Sequence, residues 1–186
     1  MVRLDKIYTK GGDKGLTSLG DGKRVKKSSL RVRCYGDIDE SNSVIGIAIY
    51  HCSEKLKKSL SIIQNDLFDI GADLCVPGEV KDALRLKKNR VEFLENEIDD
   101  LNKGLGTLKS FILPGGSLAS SYLHLARCIV RRSERKISNL MDSEPINEEI
   151  LKYVNRLSDY LFVGARFENK KIGDVLWKPW KFQDRS

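Results

Sequence analysis

The chain has 186 residues, 32% of them charged and 40% hydrophobic, with a net charge of +7; that suits one domain burying roughly 70% of its unfolded surface and favouring anionic partners. Four cysteines without a CxxC pair and only two histidines, His51 and His124, argue against a zinc site or a disulfide framework, leaving buried thiols as the expectation. No apolar run reaches the length of a membrane span and no apolar signal core opens the chain, so a cytoplasmic protein without a membrane segment is expected.

Residues 1–35 read as an N-terminal arm rich in Gly, Lys and hydroxyls. Residues 8–27, YTKGGDKGLTSLGDGKRVKK, hold five glycines and six Lys/Arg. This is not a P-loop: GGDKGLTS lacks Gly-Lys-Ser/Thr, GDGKR has Arg where a hydroxyl is required, and no βαβ pattern follows. A polyphosphate can still be held by simpler means. Gly11, Gly12 and Gly15 let backbone N–H groups approach oxygens, Thr9, Thr17 and Ser18 donate hydroxyls, and Lys10 and Lys27 supply charge. A solvated basic tail is the plain alternative.

Five helical segments follow, in a bundle expected over residues 36–170 with a tail at 171–186; the fold class is all-α, a five-helix bundle with an N-terminal glycine/lysine-rich arm. The first segment, about 37–58, aligns Ile38, Ile45, Ile49, Cys52 and Leu56, with Asp39, Ser43 and Gly46 opposite. The second, about 59–75, stops before Pro77-Gly78, and the third, about 87–103, carries Val91, Leu94, Ile98 and Leu101. The fourth opens after FILPGGS with Ser117 as N-cap. The fifth, about 147–168, carries Ile150, Val154, Leu157, Leu161 and Ala165, with a polar stripe of Asn155, Ser158 and Asp159.

The fourth segment separates its faces. Leu118, Tyr122, Leu125, Ala126, Ile129, Val130, Ser133, Ile137 and Leu140 form the apolar side, and His124, Arg127, Arg131, Glu134 and Arg135 gather opposite. One turn, about 6 Å of rise, separates Arg127 from Arg131 and Arg131 from Arg135. Guanidiniums stacked this closely repel unless an anion or carboxylates lie between them, and their forked donors suit phosphate and carboxylate. A solvated basic helix face is the alternative.

The motifs YTKGGDKGLTSL, YGDIDESNSVIG, IQNDLFDIGADL, FILPGGS, LHLARCIVRRSER and VNRLSDYLFVGAR occur in this order. Together, over residues 7 to 168, they resemble the PduO-type ATP:cob(I)alamin adenosyltransferases. The resemblance implies a homotrimeric five-helix bundle with a site at each subunit interface. It implies transfer of the 5′-deoxyadenosyl group of ATP to the cobalt of reduced cobalamin, with release of triphosphate, and magnesium bound through ATP phosphates rather than by protein ligands. Thr9, Lys10, Gly11, Gly12, Thr17, Ser18 and Lys27 of the arm would contact ATP. Arg131, Arg132, Ser133, Glu134, Arg135 and Asn155 would meet it from the helices across the interface. Arg127 is similar to the family arginine that pairs with a first-helix carboxylate, here Asp39. Phe111 resembles the aromatic that closes the lower face of the corrinoid and keeps its dimethylbenzimidazole tail off cobalt. A flavoprotein reductase and an adenosylcobalamin-dependent enzyme are the further partners implied, with no nucleic acid.

The chain departs from the family pattern in two motifs. Gly11 stands where Thr is common, and GDIDESN places Asp37 and Ser41 where neutral and apolar residues are usual. Asp37 and Asp39 therefore both remain candidates for Arg127. The alternative functions are a basic helical nucleic-acid-binding module and a different ATP-dependent transferase on the same bundle.

Overall fold

A computed structural model describes residues 7–181; the first six residues expected in the arm and the last five of the tail, 182–186, lie outside the described residues. A β-hairpin, β1 (Leu16–Ser18) and β2 (Arg24–Lys26), precedes five helices: α1 (Leu30–His51), α2 (Glu54–Cys75), α3 (Lys88–Asn102), α4 (Leu118–Met141) and α5 (Glu148–Glu168). No helix among the described residues is long and apolar enough to cross a membrane.

The core is one continuous cluster, because each helix turns an apolar stripe to its neighbours. Ile38 and Ile45 of α1 with Cys52 just past its end, Leu60, Ile63, Leu67 and Ile70 of α2, and Leu123, Val130 and Ile137 of α4 are all buried, with Val154, Leu157 and Leu161 of α5. α1 packs on α2 and α4, and α5 on α3 and α4. Among the described residues a buried polar tie crosses three helices: Arg90 of α3 grips Asp66 of α2 through two bonds of 2.7–2.8 Å, and Tyr153 of α5 donates to the same carboxylate at 2.7 Å.

Two boundaries differ from the sequence reading. α1 begins at Leu30, inside the segment expected to be arm, and buries Arg31, which bonds the Leu74 carbonyl and Glu144. α1 then ends at His51 instead of running to 58. The break at Cys52–Ser53 carries no Gly or Pro; Glu168 of α5 accepts from the backbone N–H and hydroxyl of Ser53 and so fixes the restart of the chain as α2. At the fourth helix the expected cap is present, with Ser117 Oγ accepting from the Ser120 N–H at 3.1 Å.

Cys34 and Cys52 are buried, and burial pushes their thiols up to about 11 and about 12. Cys128 corrects the expectation of buried thiols, since it is exposed on α4.

Candidate active site

α4 is antiparallel to α1: Ser133 lies against Ser41, and Lys136 against Asp37. The C-terminal half of α4 thus shares one end of the bundle with the arm, while its N-terminal end meets the loop that carries Phe111.

At the arm end, the hairpin is tied to the bundle by the buried Leu19 and by Gly20, whose N–H donates to the Cys75 carbonyl at 2.8 Å. The loop before β1 closes back on the strand after it, the Lys27 N–H donating to Gly15 at 2.9 Å. A side chain at Gly12 would place its Cβ 2.9 Å from the Lys27 ammonium, so glycine lets that charge lie over the loop. Lys10, at φ 58, turns the chain into this loop. Thr9, Lys10, Gly11, Ser18 and Lys27 are exposed, while Gly12 and Thr17 are half-buried. Arg24, which the sequence reading passed over, donates to the Ser18 hydroxyl at 3.2 Å and to the Gly11 carbonyl. Its place opposite Ser18 was the only signal available, and it required the hairpin register.

The α4 arginines divide. Arg131 and Arg135 are exposed and make no ion pair among the described residues; Arg135 donates only to the Arg131 carbonyl at 3.0 Å. Arg132 leaves this row, paired with Glu40 and, at 3.3 Å, with Asp37. Ser133 corrects the expectation of a ligand contact: it is fully buried, donates to the Ile129 carbonyl and faces Ser41, because α1 covers that side of α4. Glu134 and Asn155 are brought together across α4 and α5, the amide donating at 2.8 Å, and Arg156 donates to the other end of Asn155 at 2.7 Å. Asp159 stands nearby; partial desolvation of its carboxyl, with Glu134 beside it, raises it above the ordinary range against the pull of Arg156 and Arg131. Ser158, read as part of this polar stripe, is buried instead.

Arg127 is half-buried. Its Nη2 lies 3.8 Å from Cys128 Sγ, and its Nε is buried without a hydrogen-bond partner among the described residues. The protomer does not pair it with either acid. Asp37 is committed to Lys136 at 2.7 Å and to Arg132, whereas Asp39 is exposed with no side-chain partner among the described residues.

At the other end, Phe111 is 78% exposed and lines a cavity of about 570 Å³ with Leu108, Ser110, Phe162 and Trp177. A second cleft, of about 290 Å³, is lined by Pro114, Gly115, Ser121, His124, Leu125 and Cys128. Leu118 and Leu125 face outward here, and His124 is buried beside Phe162, its ring centroid 6.1 Å from the phenyl. Their sequence assignments are thus reversed, because the Pro114–Gly115 loop and α5 cover the flank of α4 that holds His124. Burial, then the Arg127 charge, lowers the His124 pKa below its ordinary value. α4 therefore presents an apolar surface near Phe111 and an unpaired cationic one toward the arm end. Such a strip can hold a ligand that is a broad apolar ring at one end and a polyanion at the other.

Comparison with known proteins decides the family. The model for cobalamin adenosyltransferases matches residues 7–168. This chain belongs to the cobalamin adenosyltransferase family. It is 51% identical over 177 residues to the corrinoid adenosyltransferase of Bacillus subtilis, covering 91% of each chain. It is 45% identical over 185 residues to that of Mycobacterium tuberculosis, covering 96% of this chain and 95% of the relative. Among solved structures, a variant PduO-type ATP:corrinoid adenosyltransferase from Lactobacillus reuteri, complexed with cobalamin and ATP, superposes with a TM-score of 0.88 at 39% identity. That match covers 93% of this chain and 99% of the other. The adenosyltransferase span contains the hairpin, all five helices and Phe111, and ends at the last residue of α5.

Proposed function

We propose that this protein transfers the 5′-deoxyadenosyl group of ATP to the cobalt of reduced cobalamin, forming adenosylcobalamin and releasing triphosphate. The observation that carries the reading is similarity over nine-tenths of the chain to corrinoid adenosyltransferases, one of them complexed with both substrates. The similarity leaves the nucleic-acid alternative without support.

The cobalt(I) electron pair attacks C5′ of the ribose; the cobalt–carbon bond forms as the C5′–oxygen bond breaks, and triphosphate departs with that bond's electrons. No Ser, Cys or His nucleophile is required. The protein's part is to place the two substrates in line and to stabilise the charge that grows on the leaving group. Lys27 and Lys10 of the arm, with Arg131 and Arg135 of α4, are the cations for this. Thr9, Gly11, Gly12, Thr17 and Ser18 supply arm donors, and Glu134 and Asn155 order the helical side. Arg132, held by Asp37 and Glu40, acts at one remove by fixing α4 on α1. A charge-assisted hydrogen bond contributes about 1.5–3 kcal/mol, so removing one of these cations should slow transfer roughly 10- to 100-fold.

Magnesium fits as an ion carried by the phosphates. Glu134 and Asp159 are hard oxygen donors beside the arginines and would face its waters. The site completes itself in a homotrimer: Arg127 and Asp39, each without an ionic partner among the described residues, pair across the interface, and the arm of one subunit meets the arginine row of the next. Phe111 closes the lower corrinoid face.

The test is anaerobic mixing of protein, ATP, magnesium and chemically reduced cobalamin. Conversion of the cob(I)alamin spectrum to that of alkylcobalamin, with one triphosphate per cobalt, is expected. An unchanged cobalt spectrum under these conditions would refute the activity.

A further inference from the structure

The segment that follows α5 lies outside the matched family span, yet it is bonded to the loop that carries Phe111. That loop has little to hold it. Phe111 projects from the core, and Pro114, Gly115 and Gly116, the two glycines at φ 152 and 103, separate it from α4.

The C-terminal segment supplies the missing restraint. Ile112 and Leu176 form an antiparallel bridge, flanked by Leu113 N–H to Val175 oxygen at 2.8 Å and Trp177 N–H to Phe111 oxygen at 2.7 Å. Ser110 Oγ donates to the Trp177 carbonyl at 2.8 Å. The segment is itself anchored at the end of α5. Arg166 donates to Asp174 at 3.1 Å, and the buried Asn169 donates to Asp174 at 3.3 Å and to Gly115 at 2.9 Å. Asn169 also accepts from the Ser117 N–H at 3.0 Å, filling the space a side chain at Gly116 would need. The loop is thus gripped on both sides of Pro114 by groups fixed to one rigid helix end. Trp177 brings its own ring to 6.2 Å from the Phe111 ring, on the wall of the same cavity.

From this geometry we infer that residues 174–177 are a strap that positions Phe111, with Trp177 as a specificity-determining residue that favours corrinoids whose nucleotide tail has been displaced. The inference rests on the proposed reading of the Phe111 cavity as the lower corrinoid face. An aromatic that must exclude a tail from cobalt has to be held close to it, and a displacement of about 1 Å at a reacting centre can cost roughly 100-fold in rate. The Trp177–Phe111 backbone bond sets the height of the loop, and the indole stands beside the phenyl in the same cavity.

The experiment compares anaerobic turnover of reduced cobalamin, which carries the tail, with that of reduced cobinamide, which lacks it. Trp177→Ala removes the ring, Trp177→Pro removes the N–H that bonds Phe111, and Trp177→Phe keeps both an aromatic and the N–H. The expected result is a fall of roughly 10-fold or more in the cobalamin-to-cobinamide turnover ratio for the Ala and Pro variants, with the Phe variant near wild type. Phe111→Ala should lower the same ratio. An unchanged ratio in the Ala and Pro variants, or equal loss on both corrinoids with a lowered melting temperature, would overturn the strap while leaving the reading of Phe111 in place. A wild type inert on both corrinoids, or a Phe111→Ala variant with an unchanged ratio, would overturn that reading and the strap with it.

Discussion

Arg127 illustrates how much a single side chain depends on geometry as well as charge. Its guanidinium is half-buried with a buried Nε that has no hydrogen-bond partner among the described residues, which is costly to leave alone, and the exposed Asp39 has no counter-ion among them. A planar fork can satisfy a carboxylate through two bonds, and an ammonium cannot. Arg127→Lys is therefore expected to keep its helix content while kcat falls about 10-fold or more, measured in the cobalt absorbance assay. Wild-type turnover in this variant would remove Arg127 from the site. The competing acid, Asp37, was a fair candidate from sequence; its commitment to Lys136 and Arg132 is a contact between helices that one-dimensional spacing does not show.

His124 carries a second test at this scale. Burial favours the neutral imidazole and lowers its pKa below the ordinary 6.5, with Arg127 acting in the same direction and Asp174 weakly against. The unfolded chain binds this proton at a higher pH than the folded one. Stability is therefore lost as pH falls below about 6.5 and until the folded-state value is passed. His124→Phe should flatten the melting-temperature profile over that window; a profile unchanged from wild type would show that His124 is not buried neutral. Sequence spacing placed this residue with the arginines, because the loop and the α5 aromatic that cover it come from elsewhere in the chain.

Among the elements, the apolar stripes at three- and four-residue intervals were enough to find all five helices, and Ser117 marked one start. The break between α1 and α2 was expected after residue 58 rather than at Cys52–Ser53 for a physical reason. Its cap acceptor is Glu168, more than a hundred residues away, and no glycine or proline punctuates the turn. The strap escaped notice for a similar reason, since an isolated bridge between residues 112 and 176 leaves no periodic trace. Most of the arm and arginine candidates were legible from residue type and order, whereas Arg24 and the burial of Ser133 needed the hairpin register and the α1–α4 contact. The tie between α2, α3 and α5 gives a prediction about elements. Tyr153→Phe removes one of three donors to Asp66 while Arg90 keeps the other two. Urea unfolding should show a loss of about 1–2 kcal/mol with an unchanged slope. No loss would mean that the helices are held together without this hydroxyl.

For the whole molecule, the central claim is that one active site draws its arm from one subunit and its arginines from the next. Within a protomer the arm is tied to the end of α2, while Arg131 and Arg135 remain without an anionic partner among the described residues. The proposed homotrimer would join the two halves, because in a cyclic trimer every interface repeats the same pairing. The most direct measurement mixes two impaired chains, Lys27→Ala with its arginines intact and Arg131→Ala with its arm intact, and unfolds and refolds them together. Random trimers should contain restored interfaces at about one in four, so adenosyl transfer should rise to about a quarter of wild type. Activity no higher than that of the separate variants would contradict the shared site and place arm and arginines in the same chain.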